Sequence, residues 1–238
     1  VADSDIAVLR KAKESEKKTV CIVCAGRPLI LTEAEKYSDA IIYAWYLGHT
    51  AGRSLAGVLR GRVCPSGKLS VTMPRSMGQI PIYYNYLPTG RPRNTGDDNK
   101  FTSRYIDGTS EPLYPFGFGM SYTQFRYSPV RLSSKIMKEN PVKAVVTLEN
   151  CGTRAGKETV QMYIHDVCAT ISRPVRELKG FRKIFLQPGQ CVEVEFEIDE
   201  KMLSYYHSDN RFFCDAGKFE IYIGGDSNTK NYAVLQKN

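Results

Sequence analysis

The sequence has no long apolar run. Its longest, Ala40 to Leu47, is under half of the roughly 20 residues that a membrane-spanning helix needs, which argues against a membrane partner. The start does not read as a secretory leader either, because VADSDIAVLRKAKESEKK places acids first and holds no apolar core. Histidine is scarce. His49, His165 and His207 have no cysteine or second histidine at ligand spacing, so neither a metal nor any other cofactor is expected. The seven cysteines are an odd number and cannot all pair within one chain. Cys21 and Cys24 form a CxxC, but they lie inside the strand-like run TVCIVCA with no second CxxC, and small hydrophobes in a core strand describe them better than a redox or zinc motif. Reduced thiols and the unleader-like start together predict a cytoplasmic protein, or a periplasmic or secreted one if a longer precursor carries a signal. The net charge of +8 comes without a basic stripe or base-stacking module. Its densest patch, Arg53, Arg60, Arg62, Lys68 and Arg75, reads as a solvated or partner-facing surface, and no nucleic-acid partner is expected.

What is present is organised around Ile41 to Pro74. Ala40 to Ala44 reads as a strand buried on both faces, Ser54 to Leu59 as a short helix after Gly48 and Gly52 with Gly61 as its stop, and Lys68 to Thr72 as a further strand after the turn Pro65-Ser66-Gly67. Upstream, Ser4 to Lys18 has a helical period, Thr19 to Ala25 is a β-branched strand, and Leu29 to Leu31 resumes it after Gly26-Arg27-Pro28. A polar segment, Thr32 to Asp39, then leads to the next strand. This alternation predicts parallel α/β units, whose ligands gather beyond the carboxyl ends of the strands.

From Met73 to Tyr122 proline and glycine dominate, and Tyr83, Tyr84, Tyr86, Tyr105, Tyr114, Phe116, Phe118 and Tyr122 make the segment too aromatic for a disordered linker. From Tyr127 the period becomes two, in Val142 to Leu148, Val160 to Ile164, Val192 to Ile198 and Phe219 to Ile223. With Tyr127 to Leu132, Leu178 to Leu186 and Tyr232 to Leu235 this gives about seven strands, the count of an immunoglobulin-like sandwich. No cysteine pair has the antibody spacing, which favours a fibronectin type III-like variant. The predicted architecture is a partial α/β sandwich domain (1–86), a long ordered connector (87–126) and an all-β fibronectin type III-like sandwich (127–238).

Seven segments in order, GRPLIL (Gly26 to Leu31), SDAIIYAWYLG, PSGKLSVTMPRSMGQIPIYYNY (Pro65 to Tyr86), TGRP (Thr89 to Pro92), SRYID (Ser103 to Asp107), LYPFGFGMSYTQF (Leu113 to Phe125) and RPVRELKGFRKIFLQPGQ (Arg173 to Gln190), closely resemble the C-terminal part of glycoside hydrolase family 3, in particular its β-glucosidases. The resemblance implies a barrel, an α/β sandwich and a fibronectin type III-like domain that together hydrolyse terminal β-linked glucose or xylose with retention, using two carboxylates about 5 Å apart. It also implies that both carboxylates belong to regions matching nothing here, with the barrel supplied in cis or by a partner chain, so the chain alone is expected to be inactive. Asp97, Asp98, Asp107 and Glu111 are the acids of the connector, and none matches a catalytic motif. Arg27, His49, Arg104 and Asp107 are the candidate substrate contacts, Asp107 beside Arg104 reading as structural rather than catalytic. Trp45, the only tryptophan, reads as a core aromatic at a strand end. The chain departs from its relatives at Gly48-His49-Thr50, where they carry an acid, and at Ala56 to Arg62. A non-catalytic carbohydrate-binding or interaction module is therefore the alternative. Half an α/β domain also leaves sheet edges uncovered, which predicts self-association.

Overall fold

The computed structural model describes residues 1–89, 91 and 101–238; Asp97, Asp98 and two residues of the TGRP segment, Gly90 and Pro92, lie outside them. The chain forms two units. One comprises Val1–Val63, Val71–Tyr83 and Arg104–Pro115, and the other Cys64–Ser70, Tyr84–Ser103 and Phe116–Asn238.

The first unit is α/β. Helix α1 (Asp3–Glu14) has Asp3 and Asp5 in its first turn and Lys11 and Lys13 in its last, charges that oppose the helix dipole at each end, and it buries Ile6. Strand β1 (Val20–Val23) pairs in parallel with β2 (Ala40–Tyr43), Val20 opposite Ala40, and α2 (Thr32–Tyr37) connects them. Helix α3 (Ala51–Leu59) follows. Its expected stop holds: Gly61 adopts φ 68°, its N–H donates to the Val58 carbonyl and that of Arg62 to the Gly57 carbonyl, which closes the helix with a left-handed turn that glycine enters without strain. The core is a small cluster of Val23, Leu31 and Leu113 with Cys21, Leu29, Ile41, Tyr43 and Tyr114 against it, and Met73 pairs with Tyr114 in a single antiparallel bridge.

Several expectations fail here for local reasons. The Thr32 to Asp39 link is helical through α2, because Thr32, Glu33 and Glu35 at its start and Lys36 at its end suit a helix although Ala34 is its only buried residue. Leu29 to Leu31 leads into that helix and is not a strand. Residues 68–72 are not a strand either, and Leu69 spends its backbone groups on Gly117 and Phe118. Strand β2 is not buried on both faces: Ala40 is exposed and Ile41 to Tyr43 are only half-buried; in its partner β1 Val20 is 41% and Ile22 38% exposed, and among the described residues their sheet holds only these two strands. Helix α3 starts three residues before Ser54 and buries none of its residues.

The second unit is a β-sandwich. Strands β3 (Phe125–Tyr127), β4 (Arg131–Leu132), β5 (Ile136–Met137), β6 (Val142–Asn150), β7 (Gly156–Asp166), β8 (Glu177–Leu186) and β9 (Cys191–Ile198) come first. A single-turn helix α4 (Glu200–Leu203), the hairpin β10 (Tyr205–Tyr206) and β11 (Phe212–Phe213), then β12 (Gly217–Gly224) and β13 (Tyr232–Lys237) complete it. One sheet has the order β5-β13-β12-β7-β8; in the other, β6 pairs with β3 and β4 on one edge and β9 on the opposite edge. The expected strand at Tyr127 to Leu132 is split into β3 and β4 around Pro129, which has no N–H to donate to the ladder. The period-two residues Val142, Ala144, Val146 and Leu148, Val160 and Met162, Val194 and Phe196, and Phe219, Ile221 and Ile223 interdigitate between the sheets at 3% exposure or less. Each of these side chains larger than alanine contributes about 1.5–3 kcal/mol by leaving water.

Phe116, Gly117 and Gly119 of the predicted connector, with Tyr84 and Lys68 from before it, pack on this sandwich. The Tyr84 ring stacks on Phe116 at 4.3 Å and meets Tyr163 edge-on at 5.9 Å, while its hydroxyl accepts the Leu178 N–H. Buried Gln161 donates to the carbonyls of Gly117 and Gly225 and accepts from the Tyr163 hydroxyl at 2.6 Å. Lys68, 14% exposed, donates to the Gly119 carbonyl and pairs at 3.0 Å with Glu158, 7% exposed, which also accepts from Tyr127. Burial, reinforced by Glu158, pushes the Tyr127 hydroxyl far above its usual pKa. Among the described residues no helix is long and apolar enough to cross a membrane.

Candidate functional site

In the first unit the parallel strands β1 and β2 end side by side, Val23 opposite Tyr43, with the Ala44 N–H extending the ladder to the Val23 carbonyl. The loop after β1 carries Gly26 and Arg27, and the loop after β2 carries Trp45, Tyr46 and His49. Tyr43 ties the two loops together. Its hydroxyl donates to the Arg27 carbonyl, and the Leu29 amide stands near it and favours its ionised form. Burial outweighs these contacts and raises the Tyr43 pKa.

Beyond Tyr43 the chain turns sharply. Trp45 sits at φ 53°, in the left-handed region that bulky residues rarely enter, and is half-buried with its ring edge-on to Tyr43 at 4.8 Å. The expected core aromatic at a strand end is therefore a partly covered residue at a strained bend. The bend throws Tyr46 outward, where it is 81% exposed and rests against Gly26. A β-carbon on Gly26 would lie 2.5 Å from Cε2 of the Tyr46 ring, so a side chain there would displace the ring from this position. Arg27 and His49 are both exposed.

A third wall comes from the segments around Met73 and Leu113. In a strand-helix-strand unit the helix begins where the strand ends, and the hydroxyl of Thr32, the first residue of α2, donates to the Arg75 carbonyl at 2.7 Å. This ties the Arg75 segment to the same end of the strands as the two loops. The side chain of Gln79, 3% exposed, accepts the Arg75 N–H at 2.7 Å and donates to the carbonyls of Thr109 at 2.9 Å and Glu111 at 3.2 Å; the Arg75 side chain also donates to the Glu111 carbonyl. Gln79 thus clamps the base of the loop that carries Arg104 and Asp107, both exposed, with Ile106 between them at 97% exposure.

Of the four candidate contacts, Arg27 and His49 lie on the adjoining β1 and β2 loops, and Arg104 and Asp107 on the clamped loop. The acids closest in sequence are engaged elsewhere: Glu33 pairs with Lys36, Glu35 accepts from the Tyr114 hydroxyl and Asp39 accepts from Lys18 and the Thr19 N–H. Sequence reasoning missed Tyr46, Gly26 and Gln79. The run AIIYAWYLG gives no sign that its chain reverses at Trp45, and Gln79 carries no periodic or titratable signal.

The glycosyl hydrolase family 3 C-terminal domain matches residues 1–122. The chain belongs to glycosyl hydrolase family 3. A fibronectin type III-like domain matches residues 158–227, inside the sandwich. This family 3 chain is 44% identical over 228 residues to a periplasmic beta-glucosidase of Salmonella typhimurium and 35% identical over 231 residues to the thermostable beta-glucosidase B of Acetivibrio thermocellus; each match covers 95% of this chain and 30% of the relative. It also resembles the crystal structure of a mutant beta-glucosidase from Listeria innocua in complex with laminaribiose, with a TM-score of 0.96 and 35% identity over 100% of this chain and 33% of that one. The chain thus spans about a third of the length of these relatives and corresponds to their C-terminal portion.

Proposed function

We propose that this chain is the C-terminal portion of a retaining glycoside hydrolase that releases terminal β-linked glucose or xylose. The observation that carries the reading is the alignment of 95% of the chain at 44% identity with 30% of a beta-glucosidase. In this reading residues 1–86 complete a sandwich domain, 87–126 connect it to the β-sandwich of 127–238, and the barrel and both catalytic carboxylates come from protein outside these 238 residues. Retaining hydrolysis needs one ionised carboxylate to attack and one protonated carboxyl to release the leaving group about 5 Å away. No residue here is assigned either role. Arg27, His49, Arg104 and Asp107 instead contact substrate hydroxyls, as donors and acceptors on loops that rigid elements hold in place. The reaction needs no cofactor.

The seven free thiols favour a reducing compartment, whereas the Salmonella relative is named as periplasmic. The exposed Val20 and Ile22 favour self-association of the chain on its own, which light scattering reads; a clean monomer at high concentration counts against it.

Release of p-nitrophenol from the aryl β-glucoside tests the main reading, with the chain alone inactive and the full-length protein active. Hydrolysis by the isolated chain would show that its own acids suffice. Gly48-His49-Thr50, which departs from the acidic pattern that the resemblance to the family leads one to expect, favours the second reading, a non-catalytic binding module. A full-length protein that binds but does not hydrolyse the glucoside would establish it.

A further inference from the structure

We propose that the exposed ring of Tyr46 is a stacking platform for a pyranose ring of the substrate, with Gly26 as its backing. The inference rests on the glycosidase reading for the identity of the substrate, but its geometry stands on this chain. The Cε2 side of the Tyr46 ring lies against Gly26, where a β-carbon would come within 2.5 Å of it, while the residue as a whole is 81% exposed. An open face on an aromatic ring held at its edge is what the C–H face of a β-linked pyranose needs, because its equatorial hydroxyls leave the ring faces apolar. The surroundings fit the same ligand. Tyr46 stands beyond the carboxyl ends of the parallel strands, where open α/β sheets receive ligands, and the exposed Arg27 and His49 on its two loops supply the few polar groups that orient a sugar.

The bend that presents the ring is specific. Trp45 holds φ 53° and packs against Tyr43, whose hydroxyl donates to the Arg27 carbonyl, so the loop bearing Gly26 and the loop bearing Tyr46 are fixed to one anchor. A strained backbone at a non-glycine residue persists only where neighbours over-determine it, and here they do so in favour of an outward tyrosine. A platform of this kind binds substrate without entering the chemistry, so its removal raises KM and leaves kcat.

The test uses the full-length protein carrying Tyr46→Ala, Tyr46→Phe or Gly26→Ala, with steady-state hydrolysis of a β-linked glucose disaccharide and thermal unfolding measured for each. Tyr46→Ala is expected to raise KM by about tenfold with kcat within about twofold. Tyr46→Phe keeps the ring and restores the original KM. Gly26→Ala keeps the tyrosine but pushes its ring aside, and raises KM as Tyr46→Ala does. An unchanged KM in Tyr46→Ala overturns the proposal, and if the melting temperature falls at the same time the ring packs against another domain instead. Should the wild-type protein fail to hydrolyse the disaccharide, the glycosidase reading falls separately. Binding of a methyl 1-thio-β-glucoside by calorimetry then decides the platform: loss on Tyr46→Ala supports it, and equal binding, or none by the wild type, overturns it.

Discussion

The two units of this chain treat their apolar residues differently. In the sandwich, β6, β7, β9 and β12 send every second side chain into a core whose two walls are both present, and Ala144, Met162 and Ile221 are fully buried. In the α/β unit, β1 and β2 are just as apolar, yet Val20 and Ile22 stay open and only three residues form the buried cluster. A strand with period two asks for one covered face, whereas a continuous apolar strand asks for two. The first demand is met within this chain. The second is not, and the chain covers only 30% of the Salmonella relative's length.

The contrast is broken most directly by cutting the same kind of hole in each unit. Phe219→Ala removes a ring that is 1% exposed between two sheets, and is expected to cost about 3–5 kcal/mol. Val23→Ala, at 8% exposure in the small cluster, is expected to cost about 1–2 kcal/mol because fewer neighbours surround the hole. Urea unfolding of the chain followed by tyrosine fluorescence reads both. Equal losses would show that the α/β unit is as tightly packed as the sandwich.

The ion pair of Lys68 and Glu158 tests whether the 64–70 segment is part of the sandwich's core or an accessory. Lys68→Met leaves Glu158 buried with Tyr127 alone, and breaking such a pair costs about 3 kcal/mol or more. The double variant Lys68→Met, Glu158→Leu is expected to recover most of that loss, since an apolar pair avoids the desolvation penalty of both charges. A single variant as stable as the wild type would mean that solvent reaches the site.

Gln79 is the α/β unit's counterpart, a buried polar side chain clamping a loop. Gln79→Ala strands the Arg75 N–H and the Thr109 carbonyl, leaving Glu111 only its bond from the Arg75 side chain, at a cost of about 1–3 kcal/mol, and hydrogen exchange across residues 104–111 is expected to quicken. Unchanged exchange there would remove Gln79 from the account of how Arg104 and Asp107 are positioned.

Legibility in the sequence followed the same divide. Residues 142–148, 160–164, 192–198 and 219–223 announced their strands because alternation is a local signal with one solution. The α/β succession was legible too, and so was the stop at Gly61. Helix α2 was hidden because TEAEKY has a single buried residue, Ala34, too few to show a period. Two-sided burial of β2 was inferred from its apolar run, but burial depends on neighbours that the sequence of a strand does not contain. At the site, Arg27, His49, Arg104 and Asp107 were nominated by residue type and loop position. Tyr46 was not, since its prominence comes from one backbone dihedral at Trp45 and the absence of a side chain at Gly26.

Even the well-covered unit has a group that folding leaves short, and it gives the smallest expected effect. Asp166 ends β7 with its Oδ2 buried and without a hydrogen-bond partner, near Arg173, whose buried Nε also lacks one. Burial raises the Asp166 pKa, against the weaker pull of the Arg173 guanidinium and the Cys168 N–H. An acid whose folded pKa lies above its unfolded value is more stable in the fold when protonated. Its favourable contribution is therefore complete below about pH 3.9, the unfolded value, and is lost as the pH rises through the folded one. Asp166→Asn removes the charge and is expected to stabilise the chain at neutral pH by on the order of 1 kcal/mol. The advantage over wild type should shrink on acidification, as the wild-type carboxyl takes up its proton. Denaturant midpoints of both proteins from pH 7 to pH 3.5 measure this, and an advantage that stays constant or grows toward low pH would mean that the carboxylate is already satisfied, by water or by Arg173.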